Sequence, residues 1–222
     1  MSHLVIVGAG GHGREVLDVV EAANAQARRD GGAVVEVLGF VADHADEPLL
    51  ARRGVPHLGT VDDLVAGRIG QLAEPVALVL AIGDPSTRRT LAQRISATAH
   101  PWTEALVHPQ ASLGGDVQLG EGTVVAAGAR ITTNVRIGQH VQVNVNAVVS
   151  HDCRVADHAT LSPGSLVNGS VTLGEGAFLG TGAIVTPGRR VGDWAVVGAG
   201  AVVVADVPDD VTVVGVPAVP RT

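Results

Sequence analysis

The segment Asn144-Val145-Asn146-Ala147-Val148-Val149-Ser150-His151-Asp152-Cys153 gathers side chains suited to proton transfer. A neutral imidazole near physiological pH can remove a proton from an amine or hydroxyl, and an adjacent carboxylate can fix its tautomer and stabilise the imidazolium. His151 and Asp152 have that relation; a solvated surface histidine beside a solvated aspartate has it too, and both readings stand at this point. A second cluster, Gly8-x-Gly10-x-x-Gly13, matches the dinucleotide fingerprint, with Asp43 placed where an acidic group would meet a ribose. Backbone amides at a helix N-terminus can face a phosphate, and His12 adds an imidazole donor among them. A tight packing turn without a ligand is the alternative. His140 and His158 lie 18 residues apart. A zinc site needs three ligands meeting at one point, and His151 belongs to a neighbouring side, so no metal is expected.

These side chains need a frame, and the sequence carries one. From Val107 to Val203 every sixth residue is a medium-sized aliphatic, 17 in one register. Four residues after each comes a small or β-branched residue, with Arg189 the exception. A period of six is neither helical nor ordinary strand alternation. It marks a parallel β-helix in which each hexad forms one flat side and three hexads close a triangular coil. The aliphatic fills the interior, and the residue four later must be small because chain segments converge at the corner. The run amounts to about 27 Å of prism at ~4.8 Å between stacked strands, enough for a self-sufficient domain. His151 falls two places after inward Val149 and two before inward Cys153, which points it outward or to a corner. Cys153 packs in the core and can form no internal disulfide. His140 and His158, one coil apart, stack on one side.

The first hundred residues read differently. Leu4 to Val7 is a strand, the glycine turn follows, and Arg14 to Arg28 has helical periodicity through Val16, Val19, Val20 and Ala23. Val34 to Val41 and Val76 to Ile82 are further strands, and Gly83-Asp84-Pro85-Ser86 reads as a helix cap with proline in the first turn. Alternating β and α implies a small parallel sheet, a Rossmann-like half. The predicted division is an α/β domain over 1–100 and an all-β domain over 101–222, with the boundary between Ala99 and Thr103.

A net charge of −7, with no lysine and no basic stretch, argues against nucleic acid or an anionic membrane as partner. No run approaches a transmembrane span, and the start lacks a basic region or cleavage site, so a cytoplasmic protein is expected. Aromatic residues make up 2%, which suits a narrow prism filled by Val, Leu, Ile and Ala, and the 29 glycines serve its corners. Outward Val145, Val148 and Ala126 invite cover by threefold association.

With these motifs in place the chain resembles the bacterial sugar O- and N-acyltransferases grouped with the sialic acid O-acetyltransferases, including UDP-4-amino-sugar and GDP-perosamine N-acetyltransferases. The resemblance spans nearly the whole chain. It rests on Val7-Gly8-Ala9-Gly10-Gly11-His12-Gly13, Val55-Pro56-His57-Leu58-Gly59-Thr60, Ala81-Ile82-Gly83-Asp84, Val107-His108-Pro109, Ser150-His151-Asp152-Cys153 and Val214-Gly215-Val216-Pro217-Ala218. It implies a left-handed β-helix, acetyl-CoA as co-substrate, a nucleotide-activated amino sugar as acceptor, and a homotrimer with active sites between neighbouring prisms. It places the general base at His151, its acidic neighbour at Asp152 and a substrate-contacting asparagine at Asn144. The amide that hydrogen-bonds the thioester region falls on Gly169, with further coenzyme contacts on Thr181 and the glycine-rich turn at Gly198. Thr160 stands where some relatives carry a coenzyme-contacting histidine, with His158 close by. In the first domain the resemblance implies phosphate contacts at Gly10, Gly11 and His12, a base contact at Asp43 and the pocket floor at Gly83.

The expected activity is transfer of the acetyl group of acetyl-CoA to an amine of a nucleotide-linked sugar, by direct attack with His151 as base. Acetylation of a sialic acid or polysaccharide hydroxyl would use the same base and coenzyme. A zinc-dependent β-helix hydratase and a non-catalytic assembly protein on the same prism are the remaining alternatives.

Overall fold

A computed structural model of the chain describes residues 2–72 and 75–221, which fall into two compact units, Met1–Leu106 and Val107–Thr222. The division lies a few residues beyond the 100/101 boundary drawn from the sequence, because the segment around Trp102 is tied to the first unit's sheet. Leu78 N donates to Pro101 O and Thr103 N to Leu78 O, each at 2.9 Å.

The first unit has four parallel strands, β1 (Ser2–Val7), β2 (Val35–Val41), β3 (His57–Gly59) and β4 (Ala77–Leu80), in the order β3-β2-β1-β4. The inner strands read as continuous apolar runs because both faces of the sheet are covered; Leu4 to Val7 and Leu78 to Leu80 are all buried. Helices α1 (Gly11–Asp30), α2 (Glu47–Arg52), α3 (Val61–Val65) and α4 (Pro85–Ile95) join them. α1 buries Val16, Leu17, Val19 and Val20 at helical spacing. It begins at Gly11 rather than Arg14, since the glycine turn winds directly into its first turn. α4 starts as its sequence dictates: Asp84 caps it, accepting from Thr87 N at 2.7 Å, and Pro85 takes the first helical place. From β1 the chain adds β2 and β3 on one side and returns with β4 on the other. That reversal opens a crevice outside the carboxyl ends of β1 and β4.

The second unit is the predicted prism. Its short strands pair in parallel at an offset of 18 residues: Arg136 with Gln118 and Arg154, Gln142 with Val124 and Thr160, Val148 with Arg130 and Leu166. One coil is therefore three hexads. The inward aliphatics from Val125 to Val203 are at most 4% exposed, whereas Leu113 in the first coil is 42% exposed, a terminal coil being stacked on one side only. The last coil contracts to an offset of 16: Asp206 Oδ1 accepts from Arg190 N at 3.0 Å, and Val207 bridges Val191. Val207 thus takes the place of an aliphatic and not the small corner place that strict counting assigns it.

From Leu113 to Val197 the third residue after each aliphatic turns the corner in the left-handed backbone region. Glycine does this freely at Gly122 (φ 66) and Gly164 (φ 68), but Asn134 (φ 58), Asp152 (φ 63) and Ser170 (φ 59) do it against a steric cost. The outward residues give the sides different characters. One carries Val148, Leu166, Ile184 and Val202 in a ladder; the next carries Arg136, Arg154 and Arg190. On the remaining side Gln142 and Thr160 are buried.

Candidate active site

A cleft of roughly 420 Å³ sits at the crevice of the first unit, lined by the Val7–His12 turn, Asp43, His44, Ile82, Gly83, Thr87 and Leu91. Its glycines have separate reasons to be glycine. At Gly8 (φ 116) a Cβ would strike Ala81 O at 2.6 Å, and at Gly13 it would strike Gly8 O at 2.0 Å, so these two let strand and helix pack. Gly10 has an ordinary φ of −73, and a Cβ there would meet nothing within 4 Å. Packing does not explain it, and its bareness leaves the backbone open to the cleft. No side chain caps α1, and the amides of its first turn lack intrahelical acceptors. His12 is mostly covered, with Nδ1 3.1 Å from Glu15 Oε2. Asp43 is exposed and uses one oxygen, which accepts from Val61 N at 3.1 Å.

The floor holds a residue that the sequence reading missed. Arg88, fully buried in α4, donates from Nη1 to Ile82 O at 2.6 Å and to Gly83 O at 3.2 Å. Burial pulls its guanidinium down to about 10, against the opposing charge of Asp84. The signal available was an arginine one turn after the Asp84 cap, on the face that α4 buries.

On the prism, His151 and Asp152 form one corner. His151 Nδ1 lies 2.8 Å from Asp152 Oδ2, and Asn134 Nδ2 donates to Asp152 Oδ1 at 2.5 Å from one coil earlier. The hydrogen bond from His151, and then that from Asn134, hold the Asp152 carboxyl below its usual range, so it is ionised at neutral pH. An ionised partner assigns the proton to Nδ1 and leaves the Nε2 lone pair free. One coil later lies Gly169, where a Cβ would stand 2.4 Å from His151 Cε1 and 2.5 Å from Nε2. Its bareness makes room for the imidazole, and its amide donates to no acceptor among the described residues.

The other residues singled out from the sequence fall elsewhere. Thr181 is exposed at the corner column that follows Asn144, on the far side of the Val148 ladder from His151. Asn144 Nδ2 donates to Leu161 O at 2.9 Å. Gly198 is half-buried and its amide donates to Val213 O at 2.8 Å, with Ala199 and Gly200 exposed beside it. Thr160 is 3% exposed, on the side that leads into the same corner column as Thr181. His140 and His158 stack as expected, ring centroids 5.3 Å apart and planes 10° apart. Among the described residues no three or more His, Cys, Asp or Glu side chains converge as metal ligands, and no helix is long and apolar enough to cross a membrane.

An α/β unit with an amide-lined crevice, followed by a hexapeptide β-helix with a His–Asp corner, defines the class of hexapeptide-repeat acyltransferases. Residues 3–95 match the family model described as the PglD N-terminal domain. The whole chain is similar to perosamine N-acetyltransferase from Caulobacter crescentus (36% identity, 100% of this chain and 98% of that one, TM-score 0.85). It is also similar to the acetyltransferase domain of PglB from Neisseria gonorrhoeae FA1090 (30% identity, 100% of both chains, TM-score 0.84) and to WeeI from Acinetobacter baumannii AYE (26%, 100% of both, TM-score 0.81). The Caulobacter enzyme has been crystallised with CoA and GDP-perosamine, in variants with one histidine changed to asparagine or alanine as well, and the Neisseria domain with acetyl coenzyme A. Among curated proteins none matches the sequence significantly. The chain belongs to the family of hexapeptide-repeat sugar acyltransferases with a PglD-type N-terminal domain, and it has that family's α/β unit and left-handed β-helix.

Proposed function

We propose that the protein transfers the acetyl group of acetyl-CoA to an amino group of a nucleotide-linked sugar, with His151 as general base. The observation that carries this reading is the corner itself: an exposed imidazole, oriented by an ionised carboxylate at 2.8 Å, lying against a bare glycine whose amide is unused. Nε2 of His151 takes the proton from the amine as its nitrogen attacks the thioester carbonyl. The Gly169 amide donates to the oxyanion that forms, collapse expels the coenzyme thiolate, and the imidazolium returns a proton to it. No covalent enzyme intermediate is involved. Gly10, Gly11 and His12 hold the sugar nucleotide's phosphates, Asp43 its base or ribose, and Gly83 closes the floor of that pocket.

Coenzyme contacts from Thr181 and the glycine-rich turn at Gly198, with Thr160 on the side leading into them, and the substrate contact of Asn144 belong to a different edge of the prism from His151. The apolar ladder of Val148, Leu166, Ile184 and Val202 lies between the two edges. Packing that side about a threefold axis covers the ladder and brings the His151 edge of one copy to the Thr181 edge of the next. We therefore infer a homotrimer with three shared clefts. The test is a screen of nucleotide-linked amino and hydroxyl sugars with acetyl-CoA, following thiol release, together with native mass measurement. Thiol release with amino sugars and a threefold mass are expected; release with hydroxyl acceptors alone, or a fully active monomer, refutes the corresponding half.

A further inference from the structure

We propose that Asn134 is a positioning residue for the acyl transfer, holding the Asp152 carboxylate in the one orientation that serves His151. This rests on His151 being the base. The two oxygens of Asp152 have separate donors, Asn134 Nδ2 on Oδ1 at 2.5 Å and His151 Nδ1 on Oδ2 at 2.8 Å, which together fix the plane of the group. The Asp152 side chain is 48% exposed, and a carboxylate so placed turns easily about its last torsion when only one oxygen is held. Without Asn134, water competes for both oxygens and the imidazole loses its constant acceptor.

The backbone does not explain an asparagine at this position. Corner residues on the same edge are Asp116, Asn134, Asp152, Ser170 and Gly188, all in the left-handed region. Glycine would meet that demand without cost, as it does at Gly188 (φ 71). An amide at 134 is chosen over the cheaper residue, and that amide donates to Asp152. An aspartate in its place would set like charges against each other.

The other charged groups near this corner are few. Arg154 is exposed on the strand that follows it, and Arg130 is exposed on the strand that precedes Asn134. Arg136 follows Asn134 and is paired with Asp116 at 2.9 Å. Cys153 lies inside the prism, its thiol pushed up by burial. Gly169 and Ser170, one coil later, carry no charge. Asp152 is thus the acid that meets the imidazole, and Asn134 acts through it.

The experiment uses the full chain with Asn134→Gly, which keeps the corner backbone and removes the donor, and Asn134→Asp, which adds a carboxylate. Imidazole nitrogen shifts of His151, read by NMR across pH, need no substrate. In the wild type the neutral ring holds its proton on Nδ1; in Asn134→Gly it becomes a mixture of tautomers. In Asn134→Asp, which cannot donate to Asp152 and repels it, the ring likewise becomes a mixture of tautomers. On the acceptor chosen by thiol release, Asn134→Gly lowers kcat about tenfold, a fraction of the ~10²–10⁴ contributed by a general base, with both KM values within about twofold. Combined with Asp152→Asn it costs nothing further. An unchanged tautomer in Asn134→Gly, or full multiplication of the two losses, overturns the role of Asn134. Retained turnover in His151→Ala overturns the base assignment instead.

Discussion

At Gly10 a side chain would meet nothing within 4 Å, whereas at Gly169 it would meet His151 Cε1 at 2.4 Å. The two glycines stand for two ways of building a site. In the first unit the bare backbone leaves amides at a helix start open to the crevice, where the proposed sugar nucleotide would approach them. In the prism the backbone is bare so that a neighbouring side chain can occupy the space, and the chemistry depends on which side chain that is. Damage should accordingly appear as weakened binding in the first unit and as lost chemistry in the second.

The largest test of that division is His151→Ala. Loss of a positioned base should cost ~10²–10⁴ in kcat, with acetyl-CoA binding and thermal stability nearly unchanged because the side chain is exposed. Steady-state kinetics with a melting curve decide it, and a near wild-type kcat ends the assignment. Gly169→Ala follows: the methyl must push the imidazole off Asp152, so kcat should fall about 10²-fold without a matching rise in the KM for the nucleotide sugar. Gly10→Val should do the reverse, raising that KM roughly tenfold while sparing kcat and the KM for acetyl-CoA. Equal effects on both KM values would erase the contrast between the units.

The smallest effect concerns acid. Asp63, in the capping box of α3, is drawn down to about 2 from 3.8, first by the Thr60 hydroxyl, then by the Thr60 amide and by Arg68. A folded value below the unfolded one means its contribution is complete above about 3.8 and disappears as pH falls through about 2. Asp63→Asn should lower the thermal midpoint slightly at pH 7, and the gap from wild type should close between pH 4 and 2. A gap that widens on acidification would show the sign to be wrong.

The repeat made the prism legible, since one rule applied at every hexad from Val125 to Val203 and burial follows it residue by residue. It failed at the ends, where one rule no longer applies: Leu113 has a coil on one side only, and the contraction at Asp206 replaces a backbone contact with a side-chain one. His151 and Asp152 were legible as neighbours in sequence. Asn134 is a neighbour of Asp152 only through the coil offset of 18, so the chain shows two polar corner residues far apart and not the contact between them. Arg88 was hidden for another reason: a charge buried under backbone carbonyls looks, in sequence, like any polar residue on a helix. The partner of the Gly198 amide was illegible because Val213 reaches it at an offset of 16, after the six-residue register has ended.

The offset of 18 also constrains how this chain can change in length. Removing six residues between Asp152 and Gly169 would carry every later corner around by one side, so that a different residue would face the imidazole and the Val148 ladder would be interrupted by Thr172 and Arg190. Removing 18 would return each later residue to its own edge, one level nearer the start. Active relatives of unequal length should therefore differ by whole coils within the prism, or by loops that leave a corner and come back to it, and hybrids joined at equivalent corners should keep their sites aligned.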